Sequence, residues 1–151
     1  LMNVSIPIMV EAWEAKEYHR VRKVFYSIAS VALLTTLPIV LLLSLFSRQI
    51  MGFYGEAFVE GWPLLVLLLA AAPLHAVSKV ASGVLYGMNL AWSVLAANIA
   101  WSATLLYVTF ILLDDLGILA LAAAFLSAYA VLSIVTSLSV FFISNSLRVD
   151  P

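Results

Sequence analysis

Residues 24–47, VFYSIASVALLTTLPIVLLLSLFS, run for twenty-four positions without a charge. At about 1.5 Å of rise per helical residue, such a run reaches across a hydrocarbon core roughly 30 Å thick. A helix of a water-soluble domain is apolar along one stripe, whereas this run is apolar on every face. Its solvent is therefore lipid. Comparable stretches follow at 62–86, 92–113 and 118–143. The chain is 65% hydrophobic and 10% charged, where a soluble domain carries about one quarter charged residues. The expected fold is all-α: an integral membrane helix bundle of four transmembrane spans plus a cytoplasmic juxtamembrane helix.

The segments between the spans divide the chain further. Residues 1–23 read as the end of a preceding helix, LMNVSIPIMV, and a charged connection, EAWEAKEYHRVRK, in which Glu17 stands three residues before Arg20. The membrane domain occupies 24–143, and 144–151 is a tail. Pro38 and Pro73 lie inside the first two spans, where each frees a backbone carbonyl and should bend its helix without ending it. The polar connection 48–61 carries three glycines, and Trp62-Pro63 opens the second span. Gly87-Met88-Asn89 makes a tight break, and Asp114-Asp115-Leu116-Gly117 a short turn with two solvated acids. Trp13, Trp62 and Trp92 fall at expected interfaces, whereas Trp101 lies deeper, in packing. The start at Leu1, without an initiator Met, is expected of a piece of a longer protein.

Orientation follows from the basic residues. Four spans put Lys16, Arg20, Arg22, Lys23, Lys79 and Arg148 on one side and Arg48 alone on the other. The positive-inside rule assigns the richer side, with both termini, to the cytoplasm.

Within the spans, His75 and Lys79 lie four residues apart, and Ser82 and Tyr86 continue their face. His75, Lys79 and Ser82 are the candidate substrate-binding residues: intramembrane charge is costly and tends to face a cavity, here one for an anionic group. The competing reading, preferred from sequence, has Lys79 snorkel to the headgroups about 25 Å along the helix from Trp62. Asn98, Ser102 and Thr109 share one face of the third span, Ser133 and Ser137 one face of the fourth, and helix–helix hydrogen bonds account for them. Gly83-x-x-x-Gly87 and Ala120-x-x-x-Ala124-x-x-x-Ala128 are small-residue faces suited to close packing.

No span contains Asp or Glu, so a proton-coupled pump built on an intramembrane carboxylate has little basis. Cysteine is absent, and His19 and His75 stand alone without metal-ligand spacing. No nucleophile elbow, P-loop or dinucleotide fingerprint occurs. No catalytic residue, metal or cofactor is expected, and no nucleic-acid partner.

The order of landmarks then resembles a known family. Ile6-Pro7 with Glu11 and Lys16 is similar to a "P…E…K" cytoplasmic loop. Leu37-Pro38, Ser47-x-x-Ile50 and Phe53-Tyr54-Gly55-x-x-Phe58 look like "LP…S..I..LYG..F". Leu85-x-Gly87, Asn98 and Leu116-Gly117-Ile118-Leu119-Ala120-Leu121-Ala122 resemble "L.G…N…G..GLA.A". Together, from about Ile6 to Val140, they resemble the multidrug/oligosaccharidyl-lipid/polysaccharide flippase superfamily, in particular the C-terminal domain of polysaccharide biosynthesis (O-antigen flippase-like) proteins. Met88-Asn89 stands where that family carries a basic residue.

The resemblance implies part of a six-helix lobe of a carrier that flips polyprenyl-linked oligosaccharide across the cytoplasmic membrane by alternating access. Its partners would be membrane lipid, that lipid-linked sugar, and the missing helices or second lobe. The family's cavity is lined largely by the first two helices of each lobe, which leaves these four spans as scaffold. Two other classes stay open: a small four-span carrier of drugs or metabolites acting as a dimer, and a non-transporting membrane scaffold subunit.

The orientation is testable because the chain has no cysteine. Single substitutions Glu56→Cys and Lys16→Cys should be labelled by an impermeant thiol reagent from outside at 56 and not at 16; the reverse pattern would overturn the assignment.

Overall fold

The structure, a computed structural model, describes residues 17–146 together with 11, 13 and 15. Helix α1 runs Tyr18–Leu45, α2 Ser47–Phe53, α3 Trp62–Gly87, α4 Ala91–Leu116 and α5 Ile118–Ser146, with a 3-10 helix at Glu56–Gly61. The fold is an all-α bundle, and no strand occurs among the described residues. Four helices (α1, α3, α4 and α5) are long and apolar enough to cross a membrane, as expected of a multi-pass membrane protein.

Several boundaries differ from the sequence expectation. Residues 18–23 are not a separate juxtamembrane helix but the first turns of α1, because nothing between Tyr18 and Val24 breaks a helix. Glu17 precedes that helix and accepts from Arg20 at 3.1 Å. The expected helix tail at 1–10, and Lys16, lie outside the described residues. The connection 48–61 is largely helical, formed by α2 and the 3-10 helix, and Arg48 there lies over the Trp62 ring at 5.1 Å. Helix α4 continues through both aspartates, which are exposed, and turns at Gly117 with φ +53°, a conformation open to glycine. Pro38 and Pro73 end neither of their helices.

The α3–α4 connection is a Schellman closure. Asn89 takes φ +59°, its N–H donates to the Tyr86 carbonyl at 3.0 Å, and the Leu90 N–H donates to the Leu85 carbonyl at 2.9 Å. Asparagine tolerates the left-handed region better than most residues. Leu90 packs against the cluster that holds Val84 and Leu85, the apolar contact usual for this cap.

Helix α5 is the centre of the bundle. It packs along both α3 and α4 and touches α1, while α1 packs on α3. Helices α3 and α4, although consecutive, make little contact with each other. Along α5, Ala120, Ala124, Ala128, Leu132, Thr136 and Val140 are all buried. Four-residue steps advance about 40° each, so this ridge winds roughly 200° around the helix and meets different neighbours along its length. The expected small-residue face is thus the start of a longer ridge. At the opposite end, Val21 and Phe25 of α1, Val84 and Leu85 of α3, Val94 of α4 and Val140 of α5 form one core cluster. That shared cluster puts the start of α1, the α3–α4 turn and the finish of α5 at one end of the bundle, here called the near end. Trp13 packs against it as well.

The outer faces stay apolar. Leu34, Leu41, Leu106 and Phe110 are each more than half exposed, an apolar surface suited to hydrocarbon or to packing against further helices.

Two of the groups expected to bond between helices, Asn98 and Thr109, bond within their own helix instead, as does Thr136. Thr109 donates to the Leu105 carbonyl at 2.7 Å, Asn98 to Val94 at 2.8 Å and Thr136 to Leu132 at 2.7 Å, each within its own helix. The carbonyl four residues back is always in reach, so these groups need no cross-helix partner.

Ala124 has no exposed surface. Ala124→Leu should force α5 from its neighbours and cost ~1–3 kcal/mol, read as a lower unfolding midpoint in detergent. An unchanged midpoint would contradict the packing described.

Candidate functional site

Because α3 and α4 diverge from their turn while α5 lies behind both, a cleft of about 480 Å³ opens between the three helices. This is within the range of small-molecule sites, about 300–1,000 Å³. From α3 it is lined by His75, Lys79, Ser82 and Tyr86, from α4 by Asn98 and Trp101, and from α5 by Tyr129, with Val94 and Leu132 among the apolar wall. The α3 residues recur every three or four positions and so form one helical face. From Tyr86 to His75 this face extends about 16 Å along the axis, from the near end towards the middle of the bundle.

All three candidates read from sequence, His75, Lys79 and Ser82, line this cleft. The reading preferred from sequence has Lys79 snorkel with few polar neighbours. Lys79 is exposed, but its side chain forms part of a wall shared with Ser82, Asn98 and Tyr86. The cause is the separation of α3 from α4, which a helix-by-helix reading cannot see.

The deep end is aromatic. The His75 and Tyr129 rings meet edge-on at 4.7 Å, and Trp101 lies 5.6 Å from Tyr129 and 6.0 Å from Phe125. Trp101 therefore packs, as expected, and also borders the cleft. Its Nε1 and the Nδ1 of His75 are buried and have no hydrogen-bond partner among the described residues. A buried donor left unmade costs about 1–3 kcal/mol, so this end has hydrogen-bonding capacity to offer. Ser78 does not add to it, since its hydroxyl donates to the His75 carbonyl at 2.8 Å. Asn98 is fixed by its bond to the Val94 carbonyl.

Chemically the cleft is rich in donors and holds one fixed cation. Lys79 offers three donors and Trp101 one, and no carboxylate lines the cavity among the described residues. Such a lining favours a ligand that brings acceptors and negative charge, and the ring faces of Trp101, Tyr129 and Tyr86 suit the apolar face of a sugar or a hydrocarbon stem. No group of three or more metal-ligating His, Asp or Glu side chains assembles among the described residues.

Sequence reasoning missed Tyr129 and assigned Asn98 and Trp101 to packing alone. A partial signal existed: Val94, Asn98 and Trp101 recur at helical spacing on α4. Nothing local announced that this face lies opposite Lys79. Comparison with protein-family models, with curated proteins and with solved structures finds no match to this chain.

If the cleft admits water from the near end, Ser82→Cys should react rapidly with a small water-soluble thiol reagent. Leu106→Cys, on a lipid-facing surface, should react slowly. Equal rates would mean that the cleft is closed.

Proposed function

We propose that this chain is the membrane-embedded part of a carrier that moves lipid-linked oligosaccharide across the cytoplasmic membrane for polysaccharide biosynthesis. In this reading both termini are cytoplasmic, and the cleft between α3, α4 and α5 receives the anionic head of the lipid from the cytoplasmic leaflet. The observation that carries it is the donor-rich cleft itself. Among the described residues, a cation at Lys79 and an indole N–H at Trp101 without a partner line one cavity with no carboxylate, in a bundle whose outer faces are apolar. The ordered motifs from Ile6 to Val140 that resemble polysaccharide flippases support the same class.

The physics is that of a site halfway into a membrane. A phosphate-bearing head entering hydrocarbon loses its hydration, and a cation with several hydrogen-bond donors replaces part of it. The polyprenyl tail needs no site, because lipid already solvates it. Rocking of this bundle against the rest of the carrier would then expose the loaded cleft to the other leaflet. The cleft gives this part of the lobe a binding role beyond the scaffold role inferred from sequence.

Transport by the intact protein, reconstituted in vesicles with a fluorescent polyprenyl-pyrophosphoryl oligosaccharide, tests the reading. Lys79→Gln should slow flipping about tenfold, the loss expected for one charge-assisted hydrogen bond, with normal expression and insertion. Lys79→Arg should retain most of the rate. A wild-type rate for Lys79→Gln would reject a role for the cleft in binding the head group.

A further inference from the structure

The cleft between α3, α4 and α5 changes character along its length. Tyr86 lies at the near end, and Lys79, eight residues before Gly87, lies about 12 Å from it along α3. His75 and Trp101 stand deeper, about 18 Å along α3 and about 15 Å along α4 from the same end. There both rings pack against Tyr129, with centroids 4.7 and 5.6 Å from its own. Two buried nitrogens, Nδ1 of His75 and Nε1 of Trp101, have no hydrogen-bond partner among the described residues. Beyond Lys79 the lining is aromatic and carries hydrogen-bonding groups that the protein itself does not use.

We infer that His75, Trp101 and Tyr129 form a sugar subsite, which takes the ring joined to the phosphate and so selects a glycosylated polyprenyl pyrophosphate over the bare one. The inference rests on the carrier reading above, in which Lys79 meets the anionic group, and adds a second contact to it. Hydrogen-bonding capacity decides which part of the head belongs at the deep end. An indole N–H only donates, whereas an imidazole nitrogen donates or accepts according to where its proton sits. Phosphate oxygens accept, and a hydroxyl does both. A sugar ring can therefore accept from Trp101 and bond His75 in either tautomer. A prenyl chain satisfies neither nitrogen and would leave the cost of both unmade bonds in place. The walls agree, since the apolar C–H face of a sugar packs well on aromatic rings such as those of Trp101 and Tyr129. So does the spacing: His75 is four residues beyond Lys79, about 6 Å along the axis, within reach of the group attached to a phosphate held at Lys79.

The test is binding to the purified intact protein, measured for polyprenyl pyrophosphate with and without one sugar residue. The glycosylated lipid should bind more tightly. Trp101→Phe keeps an aromatic ring against Tyr129 but removes the indole N–H, and should lower the ratio of the two affinities about fivefold, the effect of one neutral hydrogen bond. His75→Phe should lower the ratio as well. In the wild type, the indole N–H resonance of Trp101, identified by its loss in Trp101→Phe, should shift with the glycosylated lipid and stay in place with the bare one. Equal affinities for the two lipids would overturn the subsite. So would an unchanged ratio in Trp101→Phe, or an indole resonance that shifts alike with both lipids. Lys79→Gln tests the underlying reading separately and should weaken both lipids by the same factor. Full affinity for both in Lys79→Gln would reject the anion contact of the carrier reading, whereas a changed ratio there would reject the division of the cleft into two subsites.

Discussion

The close approach that α5 permits is the constraint on which the rest of the bundle depends. In hydrocarbon, apolar side chains gain little by leaving lipid for protein, so helices associate where backbones can come close enough for dense dispersion contact. Alanine at 120, 124 and 128 provides that approach, and larger residues take over at Leu132 and Val140 as the ridge winds on towards the near end. A straight stripe would have served one neighbour. A winding ridge turns towards more than one of the helices α4, α3 and α1 that α5 contacts.

The cleft follows from the same geometry. With α5 filling the position beside both α3 and α4, the tight Schellman turn holds those two helices together only where they meet. Beyond the turn they separate, and the space between is lined by whatever their facing sides carry. On α3 that side is His75, Lys79, Ser82 and Tyr86, and on α4 it is Asn98 and Trp101. The polar groups with the highest desolvation cost thus border the one gap between neighbours in sequence, not a packed interface. Other span hydroxyls, among them Thr104, Thr109, Ser127 and Ser139, donate to carbonyls of their own helix and have that much less to offer a ligand.

The basic residues divide between two settings at the near end. Lys79 lies within a span; His19, Arg22 and Lys23 precede the apolar run. The sign of the charge is common to both, but the surroundings differ. One cation borders the cleft between α3, α4 and α5, and the others border a shallow pocket beside the start of α1.

Much of the fold was legible residue by residue. Charge-free runs longer than a bilayer is thick can only be spans, and uninterrupted apolar sequence on both sides of Pro38 and Pro73 keeps their helices whole. Gly87-Met88-Asn89 announces a tight break, and Ala120, Ala124 and Ala128 announce a close contact, because those properties belong to single residues or to one helix. The three candidate site residues were legible for the same reason, since their spacing alone puts them on one face. What only the tertiary structure decided is what each face meets. Periodicity in a helix that is apolar all round marks no preferred side, so the sequence could not tell that α5 parts α3 from α4. Nor could it bring Trp101 and Tyr129 to Lys79, or set Phe141 beneath Arg22. Those juxtapositions arise between helices far apart in the chain, and they are what turn a polar stripe into a cleft and a basic helix start into a pocket.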